Sequence, residues 1–432
     1  EILALANVPT FDPNAFAKAP EEARRNRAIR DLYEPGSVFK IVTFAAALEE
    51  GLLRPNEVIE CLGGRIVLAG HTIRDHRPFF RLTAREVLEQ SSNVGTIQIA
   101  LRVGAERLAQ YIERFGFGRR TGVELPGEAR GIVRPMRRWT PVSVGAIAIG
   151  QEIGVTALQM AAAMAAIANE GVWVQPHLVR AVRSRDGTVV KRAQPERRRI
   201  LSPASARALA QMLEGVVERG TGQLAQLSGY SAAGKTGTAQ QFDPRTRRYS
   251  RTRYVASFAG FAPVADPRVV VLVALDRPRP KYTGGEVAAP VFKRIAEVAL
   301  HALNVPPDRQ EGRPLLAMRT NFASEGTEGE IGLGIAEEGK DEALRFSSLP
   351  PAQRDLPGRD LARAVASAGR TKEALPLVRV PDFRGQGIRA VTEQCARIGL
   401  RLIVSGSGRA VRQEPAAGTL VVRGTTCRVQ FQ

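Results

Sequence analysis

Gly229-Tyr-Ser-Ala-Ala-Gly234-Lys235-Thr236-Gly-Thr-Ala-Gln240 admits two readings, and the fold turns on the choice between them. Its first eight residues fit the phosphate-loop pattern G-x-x-x-x-G-K-[ST]. Residues 269–275, followed by Asp276, even resemble the acidic strand that accompanies such loops. A phosphate loop, however, needs a strand before it and a helix after it, because the helix N-terminus holds the phosphates. Residues 221–228 are not strand-like, and Gln240 is followed by Gln-Phe-Asp-Pro and an Arg-rich stretch. The pattern instead predicts a β-hairpin, with strands over 231–240 and 253–261 and a third over 268–276. Lys235 then lies inside a strand. Nucleotide binding is kept only as a formal alternative.

Two further short motifs lie upstream. In Glu34-Pro35-Gly36-Ser37-Val-Phe-Lys40, a Pro-Gly turn leads into residues 37–48, apolar nearly all round. Such a helix is buried. Ser37 sits at its N-terminus, where free N–H groups and the dipole favour developing negative charge. Lys40, three residues on, projects over the same face. A serine hydroxyl needs a base to become a nucleophile. A lysine can be that base once desolvation or nearby positive charge lowers its pKa from about 10.4. Alone, the pair also reads as a capping serine with an incidental lysine. The second motif, Ser91-Ser92-Asn93, follows a capping box at Thr83-Ala-Arg-Glu86 that starts a helix running to about Gln90. Another apolar helix begins near Val94, so the motif forms the loop between them. Alone, it reads as a polar turn.

Composition bounds the rest. At 432 residues, 44% apolar and 24% charged, the chain suits two or three globular domains and excludes wholesale disorder. Three cysteines cannot build a disulfide framework or a four-ligand zinc site, and no metal site or cofactor is expected. No run of about 18 apolar residues exists to span a bilayer. The nearest, 155–168, reads as a buried helix. The first residue is Glu1, and 1–7 read as a strand. The expectation is a processed chain whose N-terminal part is missing, so the lack of an anchor says little about the full protein. The net charge of +19 permits nucleic acid, anionic lipid or an acidic polymer as partner. Aromatics are only 6% and not interleaved with the basic residues, which argues against nucleic acid.

Residues 1–303 alternate helical and strand-like stretches. Residues 304–376 are rich in Gly, Pro, Glu and Ala and carry a net charge of −2. They read as a flexible linker with one short helix near 360–368. Order returns over 377–432. A strand entry near Val378 precedes a helix over 387–398 with Val391, Cys395 and Ile398 on one face, ended by Gly399. Strands over 400–405 and 419–431 follow, the second broken at Gly424. Cys427 alternates with Val429 and Phe431, so it faces the same core as Cys395. The two are either bonded or buried thiols, and Cys61 has no evident partner.

Ser-x-x-Lys, then Ser-x-Asn, then Lys-Thr-Gly, in this order on one chain, resembles the penicillin-recognising serine acyltransferases, which comprise penicillin-binding proteins and serine β-lactamases. Tyr33-Glu-Pro-Gly-Ser-Val-Phe-Lys40, Glu89-Gln-Ser-Ser-Asn93, Ala146-Ile-Ala-Ile-Gly-Gln151, Ala233-Gly-Lys-Thr-Gly-Thr-Ala239 and Gly284-Gly-Glu-Val-Ala-Ala-Pro-Val-Phe292 look like the class B penicillin-binding proteins. The opening, Ile2-Leu-Ala-Leu-Ala-Asn-Val-Pro-Thr-Phe-Asp-Pro-Asn14, looks like their cell-division branch. This likeness covers 1–303. Residues 378–432 resemble a PASTA module through Val380-Pro-Asp-Phe383, Gly399-Leu400, Gly406-Ser-Gly408 and Gln413-Glu-Pro-Ala-Ala-Gly-Thr419.

The resemblance implies an α+β fold, with an antiparallel sheet flanked by helices, an all-helical subdomain and a small α/β PASTA module. It implies a peptidoglycan D,D-transpeptidase of septal wall synthesis, anchored in the cell membrane with its catalytic domain outside the cytoplasm. Stem peptides ending in D-Ala-D-Ala and β-lactams would be its ligands. Division-complex membrane proteins, including a septal glycan polymerase, would be its partners. Carried onto this chain, Ser37 would attack the penultimate D-Ala carbonyl and Lys40 would take its proton. Ser91 would relay a proton to the leaving D-Ala, and Asn93 would hold Lys40 and the substrate amide. Lys235 would keep Lys40 neutral and attract the substrate carboxylate. Thr236, Gly237 and Thr238 would form the substrate-binding stretch, with the two threonines bonding that carboxylate. The N–H groups of Ser37 and Thr238 would make the oxyanion hole. Glu124-Leu-Pro-Gly-Glu128-Ala-Arg-Gly lacks the Glu-x-x-x-Asn arrangement with which class A β-lactamases activate water. Glu128 therefore reads as structural. His71, His76, His177 and His301 are scattered, and only His76, in Arg74-Asp-His-Arg77, is a candidate to line the cleft. D,D-carboxypeptidase, β-lactamase and a non-catalytic wall-binding protein remain as alternatives.

Overall fold

A computed structural model describes residues 1–309, apart from 244 and 247, and 377–432, apart from 423. It divides into two compact units, each with its own core, at a boundary outside the described residues.

In the first unit, α1 (Lys40–Glu49) is buried on every side from Ile41 to Ala47, as its unbroken apolar run requires. A single 3-10 turn, Gly36–Phe39, precedes it. The α-helix therefore begins at Lys40 rather than at Ser37. Gly36, at φ +55°, turns the chain sharply into that entry, a conformation glycine adopts without strain. Next come α2 (Ala84–Glu89) and α3 (Asn93–Val103). Both halves of the α2 capping box form: Thr83 accepts from the Glu86 N–H, and the Glu86 carboxylate accepts from the Thr83 N–H. Ser92 caps α3 by accepting from the Gly95 N–H at 2.9 Å. Behind these lie α4 (Ala157–Ala168) and α5 (Pro203–Glu218).

The sheet comprises β1 (Ala233–Asp243), β2 (Arg248–Ala262) and β3 (Val269–Asp276), antiparallel in the order β3-β2-β1. Lys235 and Thr236 pair with Ala259 and Phe258 within the ladder. No helix follows them, so the phosphate-loop reading falls on backbone geometry alone. The C-terminal helix α6 (Ala289–Ala302) covers the sheet through Phe292, Ala296 and Leu300, which pack with Phe258 and the inward valines of β3. α5 lies against β1, and α1 packs on α3 and α5, so the buried helix and the edge strand β1 meet at the N-terminal end of α1.

Two segments depart from the sequence expectations. Residues 1–7 form no strand: Ile2 donates one backbone bond to His177 but has no ladder partner, and apolar content without a pairing edge does not make a strand. Residues 305–309, taken as the start of the linker, pack on the first unit. Val305 is buried, and its carbonyl accepts from the Tyr230 hydroxyl at 2.8 Å. Asp308 accepts from the Ser231 N–H at 2.7 Å and from its hydroxyl. Arg309 pairs with Glu214 and Glu218 at 2.7 and 2.6 Å. The remaining linker stretch and the expected helix near 360–368 lie outside the described residues.

In the second unit, α7 (Ile388–Ile398) ends at Gly399, φ +75°. β4 (Arg401–Gly406), β5 (Ala410–Glu414) and β6 (Thr426–Phe431) form a sheet in the order β4-β6-β5, with β4 parallel and β5 antiparallel to β6. Leu377–Arg379 pairs with Leu420–Val422. The sequence reading missed β5, whose only fully buried residue is Ala410. Cys395 and Cys427 share the core with Val391, Val429 and Phe431 as free thiols, and Cys61 is a buried free thiol of the first unit. Among the described residues, no helix is long and apolar enough to cross a membrane.

Candidate active site

Ser37, Lys40, Ser91, Asn93 and Lys235 come from three separate segments, and the fold brings them together. The 3-10 turn carrying Ser37 is pressed against β1. A Cβ at Gly237 would lie 2.8 Å from Val38 Cγ2 and 2.9 Å from the Pro35 carbonyl, and would also meet the Ser257 hydroxyl. Only glycine lets the strand approach the serine turn this closely. Behind the turn, the Gly36 N–H donates to the Gly150 carbonyl at 3.1 Å, and Thr43 bonds the Ala148 carbonyl at 3.1 Å. The segment 146–151 thus backs the nucleophile candidate.

Lys40 is fully buried, and its amine faces the loop between α2 and α3. It lies 2.6 Å from the Ser91 carbonyl, 2.9 Å from Asn93 Oδ1 and 3.2 Å from the Ser91 hydroxyl. Carbonyl and amide oxygens only accept, so two of its N–H groups are committed to them. The Ser91 hydroxyl can instead donate to the lone pair of a neutral amine. Burial pulls the Lys40 pKa down to about 7, against an upward pull from the Asp75 carboxylate. Lys235 is also fully buried. Its amine reaches the same Ser91 hydroxyl at 3.0 Å and the Thr236 carbonyl at 3.2 Å. Burial, then the charge of Lys40, pushes its pKa well below the usual lysine value. Ser91 therefore bridges two amines and does so at φ +57°, an uncommon conformation for a non-glycine residue. Ser37 is half-buried, and its hydroxyl makes no hydrogen bond among the described residues. Nucleophile–base bonds are often loose until substrate is in place.

The substrate-strand residues divide. Thr238 is exposed at the cleft, where its hydroxyl accepts from the Gly284 N–H at 3.0 Å. Thr236 is buried, and its hydroxyl shares a 2.7 Å hydrogen bond with that of Thr221. Thr221, absent from the sequence reading, thus stands between Thr236 and the Glu89 carbonyl, to which its N–H donates at 3.0 Å. Asp75 was also missed. Its carboxylate accepts from the Ser92 hydroxyl at 2.7 Å and from the N–H groups of Asn93 and Val94. Its neighbour His76 is exposed at the rim. Partial desolvation of its ring, and then the charges of Arg77, Lys40 and Lys235, lower its pKa against the opposing pull of Asp75. Glu128 is spent on structure, accepting from the Thr121 N–H and hydroxyl at 2.7 and 2.6 Å and from the Gly122 N–H at 3.1 Å. Among the described residues, no cluster of three metal-ligating side chains occurs.

Buried amines rather than an imidazole are the bases this cleft offers to a serine, an arrangement of the serine–lysine acyltransferase kind. Comparison with known proteins makes it specific. Residues 1–297 match the penicillin binding protein transpeptidase domain, and 378–431 match the PASTA domain. The chain belongs to the penicillin-binding protein transpeptidase family. It is 41% identical over 332 residues to penicillin-binding protein PbpB of Mycolicibacterium smegmatis, covering 74% of this chain and 51% of that protein. It is 35% identical over 311 residues to peptidoglycan D,D-transpeptidase FtsI of Escherichia coli, covering 71% and 50%. Penicillin binding protein 3 from Mycobacterium tuberculosis, solved in complex with aztreonam, superposes with a TM-score of 0.62 at 39% identity, covering 66% of each chain. The chain spans about half the length of the full-length relatives it matches.

Proposed function

We propose that this chain carries out D,D-transpeptidation of peptidoglycan during septal wall synthesis, through an acyl-enzyme on Ser37. The observation that carries the reading is the convergence of Lys40 and Lys235 on the Ser91 hydroxyl beside the serine turn. A buried amine whose pKa is lowered to about 7 can be neutral at physiological pH and accept the Ser37 proton. The Ser37 oxygen attacks the penultimate D-Ala carbonyl. The developing oxyanion is received by the N–H groups of Ser37 and Thr238, fixed donors on the serine turn and the edge strand. The proton passes from Lys40 by way of Ser91 to the departing D-Ala nitrogen. Asn93 holds Lys40 and the substrate amide. Lys235 and Thr238 face the terminal carboxylate, while Thr236 acts from beneath, through its bond to Thr221. An acceptor amine then attacks the ester, releases Ser37 and forms the cross-link.

β-Lactams acylate the same serine on this reading, in keeping with the Mycobacterium tuberculosis relative solved with aztreonam and with ampicillin. The engagement of Glu128 in three structural hydrogen bonds leaves no water-activating carboxylate there, which favours an amine over water as acceptor. The reading places the domain outside the cytoplasm at the cell membrane, among division proteins that include a septal glycan polymerase. The test is product analysis with a D-Ala-D-Ala stem peptide as donor and an acceptor amine. Cross-linked dimer formed together with released D-Ala supports transpeptidation. Release of D-Ala with hydrolysed peptide alone assigns a carboxypeptidase.

A further inference from the structure

Asp75 lies in Arg74-Asp75-His76-Arg77, just beyond the short strand His71–Arg74. Its half-buried carboxylate grips the start of α3 with both oxygens. Oδ2 accepts from the Ser92 hydroxyl at 2.7 Å. Oδ1 accepts from the Val94 N–H at 3.1 Å and from the Asn93 N–H. Those N–H groups are among the ones a helix start leaves unpaired, and a carboxylate there also meets the positive end of the dipole.

The same segment orients the Asn93 side chain. The Arg74 carbonyl takes a hydrogen bond from Asn93 Nδ2 at 3.1 Å. A carbonyl can only accept, so the nitrogen end of the amide points to Arg74 and the oxygen end points to Lys40, 2.9 Å away. Segment 74–75 in turn is tied down, since the Asp75 N–H donates to the Gly64 carbonyl at 2.9 Å. Backbone and side chain of Asn93 are thus both set by two consecutive residues that do not themselves reach the nucleophile.

We propose that Asp75 is a positioning residue for acyl transfer, its carboxylate holding the Ser91–Asn93 turn against Lys40 and balancing the charge of that amine. The proposal rests on the acyl-enzyme reading above. Around Lys40, the loop from Ser91 to Asn93 contributes no ionisable side chain. β1 contributes Lys235, and segment 75–77 contributes Asp75, His76 and Arg77. Glu89, behind the loop, is neutralised by Arg219 at 2.7 Å. Asp75 is the carboxylate that opposes the burial of Lys40. Without it, burial acts unopposed, and Lys40 gives up its proton at lower pH. A group that merely capped α3 would cost stability and rate without moving that titration.

The experiment uses the full chain with Asp75→Asn and Ser92→Ala, each checked for folding by circular dichroism. Acylation by a fluorescent penicillin is followed against pH. In parallel, Lys40 is titrated directly by NMR of 13Cε-lysine. The chain has only eight lysines, and Lys40→Arg identifies the signal. Asp75→Asn is expected to move the Lys40 midpoint and the acid limb of acylation down by about one pH unit. Its plateau rate should fall about tenfold, as the turn loses charge-assisted bonds. Ser92→Ala, which keeps the carboxylate, should leave the midpoint in place. A Lys40 midpoint unmoved in Asp75→Asn overturns the proposal. If the unmodified chain takes no penicillin, the functional reading fails, while the NMR midpoint still decides the role of Asp75. Should Asp75→Asn not fold, Asp75→Glu keeps the charge and displaces the turn. A rate lowered about tenfold at an unmoved midpoint is then expected, and an unchanged rate overturns the proposal.

Discussion

Lys40 and Ser91 are 51 residues apart in the chain, and the amine of the first lies 2.6 Å from the carbonyl of the second and 3.2 Å from its hydroxyl. This contact joins the base candidate to the relay candidate before any substrate arrives. It also explains why Lys40 can be buried at all. The amine exchanges water for three fixed oxygens, and the remaining desolvation appears as a lowered pKa rather than as an unfolded site.

The acylation rate should therefore follow the neutral fraction of Lys40. Only the unprotonated amine can take the Ser37 proton, and its pKa is lowered, so the rate should rise with pH. Stopped-flow acylation by a chromogenic cephalosporin should increase about tenfold per pH unit well below pH 7 and level off above it. A midpoint near the value of an exposed lysine, about 10.4, would remove Lys40 as the base.

Lys40 and Lys235 should separate in magnitude. Lys40→Ala removes the base and should slow acylation by roughly 10³-fold. Lys235→Ala removes one hydrogen-bond partner of the Ser91 hydroxyl and the attraction for the carboxylate, and roughly 10–100-fold is expected. The two rates come from the same gel-based penicillin assay, and the reverse order would exchange their roles.

Gly237→Ala tests the approach of β1 to the serine turn. The added methyl meets the Pro35 carbonyl at 2.9 Å and Val38 at 2.8 Å, so either the turn or the strand must shift. Overpacking of this kind costs about 1–3 kcal/mol. Thermal unfolding should show that loss, and acylation should fall at least tenfold, because the shift separates Ser37 from Thr238. Full activity would mean that the approach is not needed.

The end of the first unit is testable by truncation. Ending the chain after Asn304 removes buried Val305 and the Asp308 bonds to Ser231. That should cost about 2 kcal/mol, a fall in Tm of roughly 4 °C or more. Ending it after Arg309 should leave Tm and penicillin acylation unchanged. Lost acylation in the longer piece would couple the module to the chemistry.

What the sequence made legible was local. The capping box at Thr83–Glu86, the apolar run of α1 and the alternation of β1 to β3 are each written in a few consecutive residues. The ordered motifs named Ser37, Lys40, Ser91, Asn93 and Lys235, and the fold gathers them. Asp75 and Thr221 were illegible because their importance lies in partners on other segments: the free N–H groups of α3 for one, the Thr236 hydroxyl for the other. Residues 305–309 failed for the same reason, their anchors being Ser231, Glu214 and Glu218. Residues 1–7 failed in the opposite direction, since an apolar strand pattern needs a pairing partner and this segment has no ladder.

The central claim is that Ser37 is the acylated residue. Intact-mass measurement after penicillin treatment, with proteolysis to locate the change, tests it most directly. One stable adduct on the peptide containing Ser37 is expected, absent from a folded Ser37→Ala. An adduct that persisted in Ser37→Ala, or one that turned over rapidly in the unmodified chain, would contradict the account.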